Sequence, residues 1–252
     1  MLAFFGFGML IGSFLNVCIY RMPKGESLAF PASHCPQCQT ALHFYDNIPV
    51  LSYLFLRGKC RFCKAPISEQ YPLVELLTGL LFMLTVLRFG FSLSVPVYAT
   101  LQAILIVAIF VDAAHMIIPD KITIPGIIIG FLASFLPRHP VSWQNSLLGI
   151  LVAGGFLYLV AVLSVVILKK EGMGGGDIKL AAAIGAFLGW QRSFLAVMLG
   201  AFLGSVVGIA LILIRRKGRK EYIPFGPFLA CGAIISLYWG NELIDWYLSF
   251  FR

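Results

Sequence analysis

Eight long apolar runs dominate this chain, at residues 2–20, 72–90, 93–112, 119–137, 145–168, 178–190, 193–214 and 225–250. About 20 apolar residues in a helix are needed to cross the hydrocarbon of a membrane. The expectation is therefore an all-α polytopic membrane protein with about eight transmembrane helices. Composition agrees, with 60% of residues hydrophobic and 12% charged. The sixth run is short, and Trp190, Gln191 and Arg192 separate it from the seventh. The first run ends in Arg21 and lacks a basic start and a small-residue cleavage site, so it reads as an uncleaved helix.

Lysine and arginine set the orientation of such a chain. One set of loops holds fifteen: Arg21, Lys24, Arg57, Lys59, Arg61, Lys64, Lys121, Lys169, Lys170, Lys179, Arg215, Arg216, Lys217, Arg219 and Lys220. The other holds four: Arg88, Arg138, Arg192 and Arg252. The split places the first set in the cytoplasm and both termini outside. It also supports the break at Trp190, because a single crossing over 178–214 would put the Arg215–Lys220 cluster outside. The net charge of +8 calls for no nucleic-acid partner, since these cations suit loops beside an anionic leaflet.

Asp112 closes one apolar run, and Asp177 follows Gly172-Met173-Gly174-Gly175-Gly176 at the start of another. A carboxylate at membrane depth is costly, so it usually faces the bundle interior and carries a function. Two crossings separate the pair, and an even number returns the chain to the same face. Both therefore belong to the cytoplasmic boundary. Whether they touch does not follow from this; if they do, the two carboxylates share one proton between them. The charged one activates a water and the neutral one donates to the scissile carbonyl. Because the pair titrates as a unit, neither residue has a fixed role.

Gly174, Gly175 and Gly176 have no Cβ, so they can take positive φ or let an extended substrate backbone approach; alone, such a run is more often a turn. Asp120 follows Pro119 and either caps or charges a helix start. Glu75 either pairs with a basic residue at the interface or lines a substrate groove. With Lys179, these residues form the candidate substrate-positioning set.

Residues 21–71 form the one long polar insertion. It carries Cys35-Pro36-Gln37-Cys38 and Cys60-Arg61-Phe62-Cys63, with 21 residues between the pairs. Two such knuckles signal a tetrahedral four-cysteine zinc site. In a reducing cytoplasm disulfides are disfavoured, and a metal supplies folding energy that so small a loop lacks. Four thiolates fill the shell, so the zinc reads as structural. Redox exchange would need a βαβ context, which the loop lacks. His34 and His43 read as ordinary loop residues, and Cys18 and Cys231 as buried packing residues.

Gly200, Gly204 and Gly208 recur on one helical face and favour close helix packing. Pro224-Phe225-Gly226-Pro227-Phe228 reads as a proline-initiated helix, or as the rim of a substrate entrance. There is no internal repeat and no nucleotide-binding loop.

In order along the chain stand Gly12-Ser13-Phe14-Leu15-Asn16-Val17, Tyr45-Asp46-Asn47-Ile48-Pro49-Val50-Leu51-Ser52-Tyr53, Tyr71-Pro72-Leu73-Val74-Glu75, Ile118-Pro119-Asp120 and Gly174-Gly175-Gly176-Asp177-Ile178-Lys179-Leu180. With the cysteine knuckles and Asp112, this series resembles the bifunctional bacterial type IV prepilin peptidases across nearly the whole length. The resemblance implies a Gly-x-Gly-Asp aspartic protease with Asp112 and Asp177 as the catalytic pair and Cys35, Cys38, Cys60 and Cys63 as the metal tetrad. It implies prepilins or type II secretion pseudopilins as substrates, cut after a glycine at the inner-membrane cytoplasmic face. It also implies N-methylation of the new terminus with S-adenosylmethionine, for which no binding residue is assigned. The division it suggests is a first helix at 1–20, a zinc loop associated with methyl transfer at 21–71, and a peptidase domain at 72–252. A transporter would need midplane carboxylates and repeats, and a secretion-system scaffold would tolerate loss of Asp177.

Overall fold

The computed structural model describes all residues except Arg138, residues 170–171 and 216–222, and Arg252; of Phe44, Leu168 and Arg215 only the backbone is described. Seven of the cations used for orientation (Arg138, Lys170, Arg216, Lys217, Arg219, Lys220 and Arg252) therefore lie outside the described residues. Among the described residues the chain is helical, with two isolated β-bridges and no strand. It divides into two compact units, Met1–Val95 and Pro96–Arg252.

The first unit is built on α1 (Leu2–Arg21) and α3 (Gln70–Phe89). Gly8 lies against Gly79 and Gly12 against Glu75, so the two helices run antiparallel. Between them the chain forms a 3₁₀ turn at Phe44–Asn47, the short α2 (Leu51–Phe55) and two cysteine hairpins.

The second unit contains α4 (Ser94–His115) from Pro96 onward, α5 (Asp120–Ala133), α6 (Trp143–Gly149), a π-helical turn (Ile150–Gly154), α7 (Gly155–Leu168), α8 (Gly175–Arg215) and α9 (Gly226–Ser249). At about 1.5 Å per residue, the 41 residues of α8 would be about twice as long as the hydrocarbon is thick. The helix is interrupted at Gly189, where φ is 76° and ψ 174°. Residues with a Cβ essentially never adopt that conformation, so glycine sets the place of the break.

Contacts along α8 show that the chain reverses there. Gly176 meets Ile118, and Gly130 meets Ala186 and Phe187, so the first arm runs parallel to α5. The second arm starts beside the middle of α9, where the Ser236 hydroxyl donates to the Arg192 carbonyl at 2.7 Å. It returns past Gly200 against Leu229 to Gly208 against Ile223. The break falls at Gly189, one residue before the expected Trp190. The first arm is the core of the unit: Leu180, Ala181, Ala183, Ile184, Ala186 and Phe187 are all fully buried. Beyond Lys179 this arm is apolar on every side, which suits such an enclosed place. The second arm keeps Phe202, Ile209 and Leu213 exposed.

Five helical stretches are long and apolar enough to cross a membrane: Leu2–Arg21, Gln70–Phe89, Ser94–His115, Trp143–Ile167 and Gly175–Ile214. The chain is thus a multi-pass membrane protein. At 14 residues α5 is short of a span, and the last turns of α9 carry Asn241, Glu242 and Asp245. Gly200, Gly204 and Gly208 form the small-residue face that admits the start of α9 and the residues before it. Cys18 is buried as expected, but Cys231 is exposed. It lies off the face of α9 that buries Leu229, Ala230, Gly232 and Ala233.

Candidate active site

Asp112 lies in the last turn of α4 and Asp177 in the first turn of α8. Both are buried, at 5% and 9% exposure. They are close enough to interact electrostatically. The loop from α4 to α5 joins their surroundings, because Ile118 lies against both Gly176 and Gly226. Oδ2 of Asp112 accepts a hydrogen bond from the Gly226 backbone N–H at 2.9 Å. Asp177 N–H donates to the Gly174 carbonyl at 3.1 Å. Its Oδ1 is buried and has no hydrogen-bond partner among the described residues. A buried oxygen of this kind calls for an explanation, and a reacting carboxylate provides one.

None of the three glycines before Asp177 has positive φ. What they provide is clearance. A Cβ on Gly176 would fall 2.9 Å from the Ile118 Cβ and 3.3 Å from its N and O. Gly175 faces open space, and Gly174 faces only the Asp177 carboxylate. Further along the same parallel pair of helices, Lys179 Nζ grips both Asp120 oxygens at 2.6 and 2.8 Å. Asp120 makes no side-chain cap, so it charges the start of α5 without capping it. This ion pair is half-exposed, and such pairs contribute about 0–1 kcal/mol.

Glu75 belongs to the other unit. It is buried on α3, and its Oε2 accepts the Val50 N–H at 2.7 Å, where Val50 has φ 60°. There it fixes the strained entry to α2.

The two cysteine hairpins have matching frames. Cys35 N–H donates to the Thr40 carbonyl and Cys60 N–H to the Ala65 carbonyl; Gln39 N–H returns to Cys35 and Lys64 N–H to Cys60. Gln39 and Lys64 take the same left-handed conformation, with φ 58° and 61°. The sulfurs of Cys35, Cys38, Cys60 and Cys63 lie within 4.8 Å of one another, and all four cysteines are free of disulfides. Sγ of Cys35 and Cys63 are 3.8 Å apart. A tetrahedron with Zn–S of about 2.3 Å has edges of about 3.8 Å. The donor set therefore fits a metal ion of that kind. Hydrogen bonds from Thr40 hold the Cys38 thiol down at about 6, and backbone amides of Cys63 and Phe62 lower Cys60. Both effects favour thiolates at Cys38 and Cys60, while burial and the neighbouring cysteine sulfurs push the Cys63 thiol up to about 11. His34 bonds the Ala32 carbonyl and His43 stacks on Tyr45, so neither belongs to the cluster. Asp46 accepts from Arg61 at 2.8 Å and ties the 3₁₀ turn to the second hairpin.

Residues 7–89 match the model of the bacterial peptidase A24 N-terminal domain, and residues 99–209 match that of the type IV leader peptidase family. The chain belongs to the type IV leader peptidase family. Among its relatives, the prepilin leader peptidase/N-methyltransferase of Aeromonas hydrophila is 38% identical, over 98% of this chain and 93% of its own. The proteins of the same name from Xanthomonas campestris and Pseudomonas aeruginosa are 37% and 35% identical, over 97% and 96% of this chain and 93% and 91% of their own. No solved structure matches.

In this leader peptidase family member, sequence reasoning passed over Gly226. The Pro224–Phe228 segment was legible as a helix start on the same face as the aspartates. Nothing in that segment singled the glycine out, because its contact with Asp112 lies 114 residues away.

Proposed function

We propose that the chain is the aspartic endopeptidase of a type IV pilus or type II secretion system. It removes the leader of prepilins or pseudopilins after a glycine, at the cytoplasmic face of the inner membrane. It also N-methylates the new terminus, with S-adenosylmethionine supplying the methyl group when bound. The observation that carries this reading is the buried pair, Asp112 and Asp177, brought to one end of the helical unit with an unpartnered Asp177 oxygen. The reversal at Gly189 and the fifteen-to-four split of basic residues support the reading of eight crossings with both termini outside.

In the proposed reaction the dyad starts with one proton. The charged carboxylate takes a proton from water, and the water oxygen bonds to the scissile carbonyl carbon. The neutral carboxyl gives its proton to the carbonyl oxygen. Collapse of the diol breaks the C–N bond. The amine leaves with the proton taken from water, and one diol proton returns to the dyad. A glycine before the cut and a membrane helix after it suit this boundary, because only the junction has to leave the helix. Cys35, Cys38, Cys60 and Cys63 would hold a structural zinc in the cytoplasmic loop.

The test is cleavage of a prepilin in membranes, read by intact mass. Wild type removes the leader, and adds a methyl mass when S-adenosylmethionine is present. Asp112→Asn and Asp177→Asn each lower the cleavage rate by at least about 10²–10⁴, the usual worth of an acid–base group. Normal cleavage by either variant would sink the dyad.

A further inference from the structure

We propose that Gly226 is a positioning residue for Asp112, with its backbone N–H orienting the carboxylate and its missing side chain making room for it. This rests on the peptidase reading above.

Two separate observations meet at this residue. The first is the 2.9 Å hydrogen bond from its N–H to Asp112 Oδ2, inside the buried region. Gly226 is the first residue of α9, where backbone N–H groups have no partner within the helix and point toward negative charge. Pro227, the next residue, has no N–H, so the donor nearest the start of the helix is that of Gly226. The second observation is space. A Cβ at Gly226 would lie 2.7 Å from Asp112 Oδ2, 3.1 Å from its Cγ and 3.1 Å from Ile118 Cδ1. Any side chain would push into the carboxylate itself.

The donor is rigidly held. Next to it Leu229 packs on Gly200, and two turns further Gly232 packs on Ala196. Still further along, Ser236 bonds Arg192. Helix α9 therefore carries the N–H to Asp112 as a fixed part of the scaffold. The bond to Oδ2 fixes the rotation of the carboxylate, and with it the direction of Oδ1. The reach between reacting carboxylates matters on the scale of an ångström, where misplacement costs about 10²-fold in rate. Because Gly226 acts through the carboxylate, its loss is expected to lower kcat and leave KM nearly unchanged.

The experiment is steady-state prepilin cleavage by the full chain in detergent, with Gly226→Ala, Ile118→Val and the double variant. Gly155→Ala is the control, since a Cβ there meets nothing within 4 Å. Ile118→Val deletes Cδ1 and so removes the packing conflict but not the conflict with Asp112. The expected result is a kcat for Gly226→Ala lower by about 10- to 100-fold, with KM within about threefold. The double variant should stay as far below Ile118→Val as Gly226→Ala stays below wild type. Restoration by Ile118→Val would show that Gly226 merely packs, and would overturn the proposal. So would a Gly226→Ala enzyme with wild-type kcat. If Gly226→Ala does not fold, the double variant carries the same comparison against Ile118→Val. A wild-type chain that leaves the prepilin uncut would instead overturn the peptidase reading, and no variant would then differ from it.

Discussion

Two neighbouring glycines should respond oppositely to the same added methyl group. At Gly176 an alanine Cβ would sit 2.9 Å from the Ile118 Cβ and 3.3 Å from the Ile118 N and O. Carbon contacts are comfortable at about 3.5–4.0 Å, so about 0.6 Å of separation must be found. Two of the three obstructing atoms are backbone, and they cannot rotate aside. At Gly175 the same Cβ meets nothing within 4 Å. Both residues lie in the first turn of α8, so the helix-propensity gain of alanine, up to about 1 kcal/mol, largely cancels between them. What remains is the overpacking cost, about 1–3 kcal/mol. At about 2–4 °C per kcal/mol for a domain of this size, Gly176→Ala should unfold about 2–12 °C below Gly175→Ala. Thermal unfolding in a single detergent, followed by tryptophan fluorescence, measures the gap. Because Asp177 is the next residue, Gly176→Ala should also lose kcat. Gly175→Ala should keep kcat and raise KM, if its open side receives the substrate. Equal melting temperatures, or Gly175→Ala the less stable, would refute the reasoning from clearance.

Two further outcomes follow from local geometry. Gly189→Ala puts a Cβ at φ 76°, ψ 174°, 3.3 Å from Val141 Cγ1. It should cost about 1–3 kcal/mol, read as a lower melting temperature; an unchanged one would show that the reversal does not depend on glycine. The sulfur spacing of the cysteine cluster predicts one zinc per chain by elemental mass spectrometry, lost in Cys35→Ser. Metal-free wild-type protein that resists proteolysis in the loop would contradict a structural metal.

Much of the plan was legible because it depends on counting. Apolar runs gave helices at the expected places, and the even number of runs between Asp112 and Asp177 pointed to one end for both, where the structure has them. The knuckle spacing gave the cysteine cluster for the same reason, since metal ligation imposes strict local spacing. The break in α8 was legible from charge to within one residue, although the residue that makes it, Gly189, was not singled out. Cys231 was misplaced because hydropathy cannot tell a lipid-facing position from a packed one. Both are apolar, and which face of α9 is covered depends on where the second arm of α8 returns.

What stayed hidden was contact between segments far apart in the chain. The Gly226–Asp112 bond spans 114 residues, and no local period announces it. Sequence showed a glycine between prolines, which is sufficient to start a helix, so the simpler reading had no reason to fail. The same holds for Gly176. Its run suggested backbone freedom for a substrate strand, yet the backbone that approaches it is that of Ile118, and φ stays negative. The glycines nearest the two carboxylates thus serve one purpose from opposite sides. Gly176 lets the α4–α5 loop close on the start of α8, and Gly226 lets α9 close on the end of α4. Each removes a side chain at the place where a main chain must come near an aspartate. Clearance is what lets two costly carboxylates stand buried at the same end of an apolar bundle.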